Sequence, residues 1–290
     1  MNETTSVRLK KENRFIGVMK RVFQNKVAAV GLIVILLMIL AAIFAPFLAP
    51  YEYDYMDFTI KNQGPSLQHL CGTDEYGRDI LTRLLYGARY SLALGLLAGV
   101  PHLTLGVCLG SLAGYFGGKV EQFIMRICDV FQSIPNMLLA VIVSSALGIG
   151  FVNTIIALSV GHIATTARVV RAQFLPLREK EFVEAERAIN CSNARIIFKH
   201  ILPNAFAPVI VQTTMGVGGD ITTAAALSFL GLGVQPPTPE WGAMLSAAKS
   251  SIRYYPHMIL FPGLCIAIVV LALNLFGDGL RDALDPRLKT

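Results

Sequence analysis

Long apolar runs alternate with short charged segments along this chain. After a polar, basic stretch over residues 1–26, Val27 to Ala49 carries no charge, and Pro46 and Pro50 mark its far end. A bilayer core takes about 20 residues of helix, so this run predicts a first spanning helix. A cleaved leader would have an apolar region of only about 7–15 residues; this one is longer and is expected to remain. Further spans are predicted at 90–116, 122–147, 151–170, 203–232 and 257–277. Pro101, Pro135, Pro208 and Pro262 lie inside them. Membrane helices tolerate proline because neighbouring helices and water satisfy the freed carbonyls, so bends are expected there. The pattern predicts an all-α polytopic membrane protein of about six transmembrane helices, with both termini on one side.

Composition supports this. Hydrophobic residues make up 54% and charged ones 15%, with a mean hydropathy of +0.57, whereas soluble domains are roughly 25% charged. The net charge of +6 raises nucleic acid as a partner, but its placement follows the membrane instead. Nineteen Lys and Arg fall in segments predicted inside and six in segments predicted outside, the bias that holds basic loops in the cytoplasm. N- and C-termini are therefore expected to be cytoplasmic. No arginine stripe with interleaved aromatics is present, so no nucleic-acid partner is expected; the surrounding lipid is. Segment 50–88 sets Glu52, Asp54, Asp57, Asp74, Glu75 and Asp79 against Lys61, Arg78 and Arg83, which suits the extracytoplasmic side. Ile80–Leu85 within it is predicted to be a short amphipathic helix at the interface. Residues 89–277 read as one membrane core and 278–290 as a cytoplasmic tail. Five dispersed cysteines imply neither a disulfide framework nor a zinc site.

One polar segment is unusually informative: PLREKEFVEAERAINCSNARIIFKHILP, from Pro176 to Pro203. Pro176 is expected to end the fourth span. Phe182, Ala185, Ala188 and Ile189 then form an apolar stripe at helical spacing among Glu181, Glu184, Glu186 and Arg187. Asn190 is placed to make the turn, since Asn enters the left-handed region more readily than other non-glycine residues. Ser192 is placed to cap a second helix, and Ile196, Ile197 and Ile201 lead back into the membrane.

This segment resembles the EAA loop of ABC-importer permeases, whose pattern is roughly EAA-xxx-G-x9-I-x-LP. Glu184, Ala185, Leu202 and Pro203 match at the same spacing; Glu186, Asn190 and His200 depart from it. GTDEYGRDILTRLLYGARYSL (Gly72–Leu92), ALSFLGLGVQPPTPEWG (Ala226–Gly242) and GDGLRDALDPRL (Gly277–Leu288) resemble the second, C-type, permease of the peptide and nickel importer family. The resemblance runs over roughly residues 20–290. It implies the type I importer permease fold, a sister permease sharing the pathway, two ABC ATPase subunits and an extracytoplasmic substrate-binding protein. ATP and Mg would be bound by the ATPases, and no cofactor by this chain. The resemblance makes 177–200 a coupling loop, with Glu181, Phe182, Glu184, Ala185, Ala188, Asn190, Leu202 and Pro203 as its residues. Import of di- or oligopeptides is expected, with nickel or a metallophore as the alternative. A missing His/Cys/Asp cluster along any one span favours peptide.

No catalytic residues are expected. The nearest approach to a phosphate-cradling loop, Gly118-Lys119, has Ala113 at the first glycine position and Val120 after the lysine. No HExxH or GxSxG is present, which leaves an intramembrane hydrolase as a remote alternative. His102, His162, His200 and His257 lie on different segments, so a metal cluster would need tertiary coincidence. Charge inside a bilayer usually faces protein or water. Asp220, among Gly216, Gly218, Gly219, Thr222 and Thr223, is therefore a candidate to line the pathway or to fix helix packing. Asp129 and His162 are further candidates. Gly106, Gly110 and Gly114 have the spacing of a close helix contact. Arg78 and Asp79 are expected to pair with each other, with contact to the binding protein as the alternative, and Trp241 is expected to anchor near the outer surface.

Overall fold

Some apolar runs continue as single helices through a proline, and one breaks at it. The computed structural model describes residues 14–284. In chain order the helices are α1 (Arg14–Gln24), α2 (Lys26–Ile43), α3 (Ala45–Leu48), α4 (Ile80–Phe116), α5 (Gly118–Gln132) and α6 (Asn136–Leu147). They continue with α7 (Phe151–Leu177), α8 (Glu181–Ala188), α9 (Asn193–Arg195), α10 (Leu202–Phe229), α11 (Trp241–Ala248) and α12 (His257–Leu284). Pro101, Pro208 and Pro262 sit inside α4, α10 and α12 without ending them, and α7 stops one residue after Pro176.

Five helical segments are long and apolar enough to span a membrane: α2, α4, α7, Asn193–Phe229 and α12. The span expected as one helix over 122–147 is instead a pair, α5 and α6, bent by 88° at Ser133–Pro135. Proline lacks an N–H and disfavours helical geometry in the residue before it. Ser133 adds to the stop by donating its hydroxyl to the Val130 carbonyl at 2.7 Å. The segment before the break also carries Lys119, Glu121, Arg126 and Asp129, so α5 is a polar helix leading into an apolar one.

The core is built on the α4–α7 seam. A Cβ on Gly106 would lie 2.5 Å from Thr166 Cβ, one on Gly110 2.4 Å from the Ala167 carbonyl, and one on Gly114 2.4 Å from Phe174 Cβ. The three glycines are the close contact their spacing predicts. Without a hydrophobic drive between helices in lipid, such backbone approach is what holds a seam. The helix α10 packs across α4, α7 and α12, and α2 closes on α12 at the periphery. There Val27, Val30, Ile33, Leu37 and Leu40 face outward, as residues against hydrocarbon should.

Three expectations about one end of the molecule are corrected. Ile80–Leu85 is not a separate interfacial helix but the first turns of α4, capped by Asp79, whose Oδ2 accepts the Thr82 N–H at 2.7 Å. Arg78 and Asp79 do not pair with each other. Arg78 donates Nε to Asp74 Oδ2 at 2.7 Å, and Asp79 meets His69 Nδ1 at 3.0 Å. Trp241 is not an exposed anchor, being only 1% exposed. Its Nε1 donates to the Leu84 carbonyl at 3.1 Å, and it fills the space over Gly87, where a Cβ would lie 3.0 Å from Trp241 Cδ1. Glu240 caps α11 by accepting the Gly242 and Ala243 N–H groups, and Ser91 on α4 donates to it at 3.0 Å.

The basic stretch over 1–26 contains α1 in its later part, and α12 continues through Leu284 into what the sequence suggested was a tail. Residues 1–13 and 285–290, with Arg8, Lys10, Lys11, Arg287 and Lys289, lie outside the described residues.

Candidate functional site

Two places bring the sequence-marked residues together: the α8 turn and the contact of α4, α7 and α10 around Asp220. The first begins where α7 ends. Glu181 and Glu184 occupy the first turn of α8 and Arg187 the last, matching the partial charges of the helix ends. Val183 is 0% exposed and packs with Phe174, Ile196, Ile197 and Ile201, an anchor the apolar stripe did not reveal. Phe182, Ala185, Ala188 and Ile189 are all exposed, with Ile189 73% so.

The turn itself is as the sequence suggested. Asn190 has φ 58°. The Cys191 N–H donates to the Glu186 carbonyl at 3.0 Å and the Asn190 N–H to the Arg187 carbonyl at 2.9 Å, the paired bonds of a Schellman termination. Ser192 then caps α9 through the Arg195 N–H at 3.4 Å. Ile196–Ile201 continue as a π turn before α10 opens at Leu202 and Pro203.

Two of the three departures from the EAA pattern meet here. Glu186 Oε1 lies 3.3 Å from His200 Nε2, and Cys191 Sγ donates to Glu186 Oε2 at 2.8 Å. The bond to the Glu186 carboxylate is the main reason the Cys191 thiol is held above its ordinary pKa. Tyr115 at the end of α4 donates its hydroxyl to Asn193 Oδ1 at 2.8 Å, and the Arg187 guanidinium lies 5.4 Å over the Tyr115 ring. One face of the hairpin is thus fastened to α4 and α10, while the other presents apolar side chains to its surroundings.

At the second place, Asp220 on α10 is 0% exposed. His162 Nε2 on α7 lies 3.3 Å from Asp220 Oδ1, and His102 Nε2 on α4 lies 3.9 Å from Oδ2. Neither Asp220 oxygen nor His102 Nε2 has a hydrogen-bond partner. His102 Nδ1 contacts Thr166 Oγ1 at 3.2 Å, and the two imidazole centroids are 5.5 Å apart. His102 was not singled out with Asp220. A histidine in the middle of an apolar span carries the same signal as an aspartate there, and that signal was available. Among the described residues no group of three such side chains is arranged to hold a metal ion.

His162 also lines a cavity of about 870 Å³ between α6, α7, α10 and α12. The amides of Asn136, Gln173, Asn204 and Gln212 share its wall with Arg281, and among the described residues no acidic side chain lines it. Asp129 stands apart from this place. It pairs with Arg168, beside the Glu121–Arg171 pair in which Nε donates at 2.6 Å, in an open charged groove between α5 and α7.

An all-helical bundle with five helical segments long and apolar enough to span a membrane, a sharply bent apolar pair and a helix–turn element at one end has the architecture of a multi-pass transport subunit. Residues 106–290 match the model of the binding-protein-dependent transport system inner membrane component family, and the chain belongs to that family. Residues 14–65 match the N-terminal transmembrane domain of oligopeptide transport permease C. The chain is 48% identical over 271 residues to the dipeptide transport system permease protein DppC of Alkalihalophilus pseudofirmus, covering 93% of this chain and 89% of that one. It is 44% identical over 272 residues to the glutathione transport system permease protein GsiD of Pectobacterium atrosepticum, covering 93% and 90%. To GsiD of Shigella sonnei it is 47% identical over 271 residues, covering 93% and 89%. Among solved structures, the inward-facing MetNI methionine ABC transporter matches with TM-score 0.57 and 22% identity, over 71% of this chain and 98% of that one, which shows the ABC-importer permease fold. The protein is a multi-pass inner-membrane permease of this kind.

Proposed function

We propose that this permease imports di- or oligopeptides, sharing a pathway with a sister permease and receiving the motion of two ABC ATPases at the α8 turn. The observation that carries the reading is the two-faced α8. Val183, Tyr115–Asn193 and Glu186–His200 fasten one side of the hairpin to α4 and α10, while Phe182, Ala185 and Ile189 stand exposed. An exposed apolar helix face on a fastened base suits insertion into a groove on a partner. Glu181, Glu184, Ala188 and Asn190 complete that surface, and Leu202 and Pro203 carry its displacement into α10. ATP and Mg belong to the ATPases. The α8 end, with both termini, would be cytoplasmic, and the α11 end would meet the substrate-binding protein.

The cavity beside α10 supports a peptide as cargo. Four amides can pair with a peptide backbone, and Arg281, the one Lys, Arg, Asp or Glu in the wall among the described residues, has the sign that suits a free carboxylate. A bare nickel ion would meet no carboxylate there. The names of the relatives, dipeptide and glutathione permeases, point the same way. In this reading His162 lines the pathway and Asp220 stands behind it, with Asp129 outside it. The test is uptake of labelled dipeptide, glutathione and nickel by a deletion strain carrying the gene on a plasmid. Restored peptide or glutathione uptake supports the reading, and restoration of nickel uptake alone overturns it.

A further inference from the structure

The contact of α4, α7 and α10 contains a carboxyl group that the transport reading leaves unused. Asp220 has no exposed surface and neither oxygen accepts a hydrogen bond. An unpaired charge in that position carries one of the largest penalties a side chain can incur, above all within a membrane. The neighbours sharpen the problem. If Thr166 accepts from His102 Nδ1, His102 Nε2 presents a lone pair to Asp220 Oδ2; if Thr166 donates instead, the Nε2–H faces Oδ2 at 3.9 Å, too far for a hydrogen bond, so in either tautomer the carboxylate charge is uncompensated. His162 Nε2 stands 3.3 Å from the other oxygen. A single additional proton resolves the arrangement, whether it sits on the carboxyl, on His162 or on His102. The cluster then has no net charge, and a donor faces an acceptor.

We propose that His102, Asp220 and His162 form a binding site for one proton, in contact with the transport cavity through His162. That contact is direct: a quarter of the His162 side chain is exposed (26%), against 1% of Asp220 and 3% of His102, and His162 lines the cavity. Among the described residues the other titratable side chains of the packed helices are engaged elsewhere: on α5 and α7, Asp129 pairs with Arg168 and Glu121 with Arg171, and Cys128 packs in an apolar cluster. On α12, His257 contacts the Thr73 carbonyl, Cys265 packs in the apolar cluster with Ile221, Arg281 lines the cavity, and Asp278 and Asp282 are exposed. On α11, Glu240 is tied to Ser91 and its own helix, the π turn's His200 is paired with Glu186, and α6 has no titratable residue.

The site has a consequence for transport because two of its members come from helices that wall the cavity, α7 and α10, and the third from α4, packed against both. With the proton bound, the cluster holds α4, α7 and α10 together as a neutral pair. With the proton gone, a net negative charge is left among them, which favours any arrangement that admits water. The proton is thus a ligand with different affinities for the two conformational states, the condition for shifting their populations.

The test uses the whole importer, with sister permease, ATPases and binding protein, reconstituted in vesicles. Substrate-stimulated ATP hydrolysis is followed against pH for the wild type, Asp220→Asn and His162→Gln, and the binding protein's own pH dependence is measured separately. The wild type should lose activity about tenfold per pH unit on the alkaline side, the slope of one proton. Asp220→Asn should remove that limb, and His162→Gln should displace it along the pH axis. Infrared spectra of the purified complexes should show one exchangeable carboxylic-acid or imidazolium proton that Asp220→Asn lacks. Variant curves that drop in parallel with the wild type without moving, or a stoichiometric metal lost with Asp220→Asn, overturn the proposal. It rests on the permease reading but not on the cargo: a complex that moves no peptide yet shows the infrared proton refutes the peptide assignment and leaves the proton site standing.

Discussion

The α8 hairpin and the Asp220 cluster are built from similar side chains and satisfied to different degrees. In the hairpin, Cys191 donates to Glu186 and Tyr115 to Asn193, and only His200 Nε2, 3.3 Å from Glu186, lacks a hydrogen bond. Around Asp220, both carboxylate oxygens and one imidazole nitrogen find none. Satisfied polar groups make a rigid element and unsatisfied ones mark a place where something else must bind. The molecule thus has a stiff end suited to transmitting force and a middle that responds to its contents.

Changes to the hairpin are expected to break this contrast by making the stiff end soft. The largest effect should come from Ala185→Glu, which puts a charge on the exposed face without touching the anchored one. Uptake should be abolished while immunoblotting finds normal amounts in the membrane; uptake at the wild-type rate would mean that this face contacts no ATPase. Val183→Asp attacks the anchored face. A carboxyl with no partner in that apolar cluster should cost at least about 3 kcal/mol, visible as a lower thermal midpoint of the detergent-solubilised complex. Asn190→Val should cost about 1–2 kcal/mol, since a β-branched residue is strained at φ 58°, whereas Asn190→Gly should be neutral within about 0.5 kcal/mol. The smallest effect concerns Cys191. Its raised pKa leaves less thiolate at a given pH, so maleimide should label it slowly at neutral pH and faster as pH rises. Glu186→Gln removes the main cause and should speed labelling severalfold near neutrality. Equal rates in the two proteins would show that the Cys191–Glu186 bond is not formed in solution.

Most of the helical layout was legible because a bilayer forces it into the sequence. The apolar runs marked the five unbroken spans, the three glycines a close helix contact, and Asn190 and Ser192 the turn and its cap. What could not be read depended on distant partners. Pro135 breaks a span while Pro101, Pro208 and Pro262 do not, and all four look alike in isolation; only the charges of α5 distinguish its first half. Trp241 follows three prolines as an interfacial anchor would, yet Ser91, Leu84 and Gly87, about 150 positions earlier, give it a buried seat. Glu186 and His200 looked like two independent departures from a motif and are one contact. The three members of the Asp220 cluster are each about 60 residues from the next, so no local pattern could join them.

One last consequence belongs to α4. Its 37 residues make a rod about 55 Å long, well beyond the roughly 30 Å of hydrocarbon it crosses. Leu84 near one tip supports Trp241, and Tyr115 near the other grips Asn193. A swing imposed at the Asn193 tip is therefore felt at the Trp241 tip by leverage alone, without any relay of side chains through the interior.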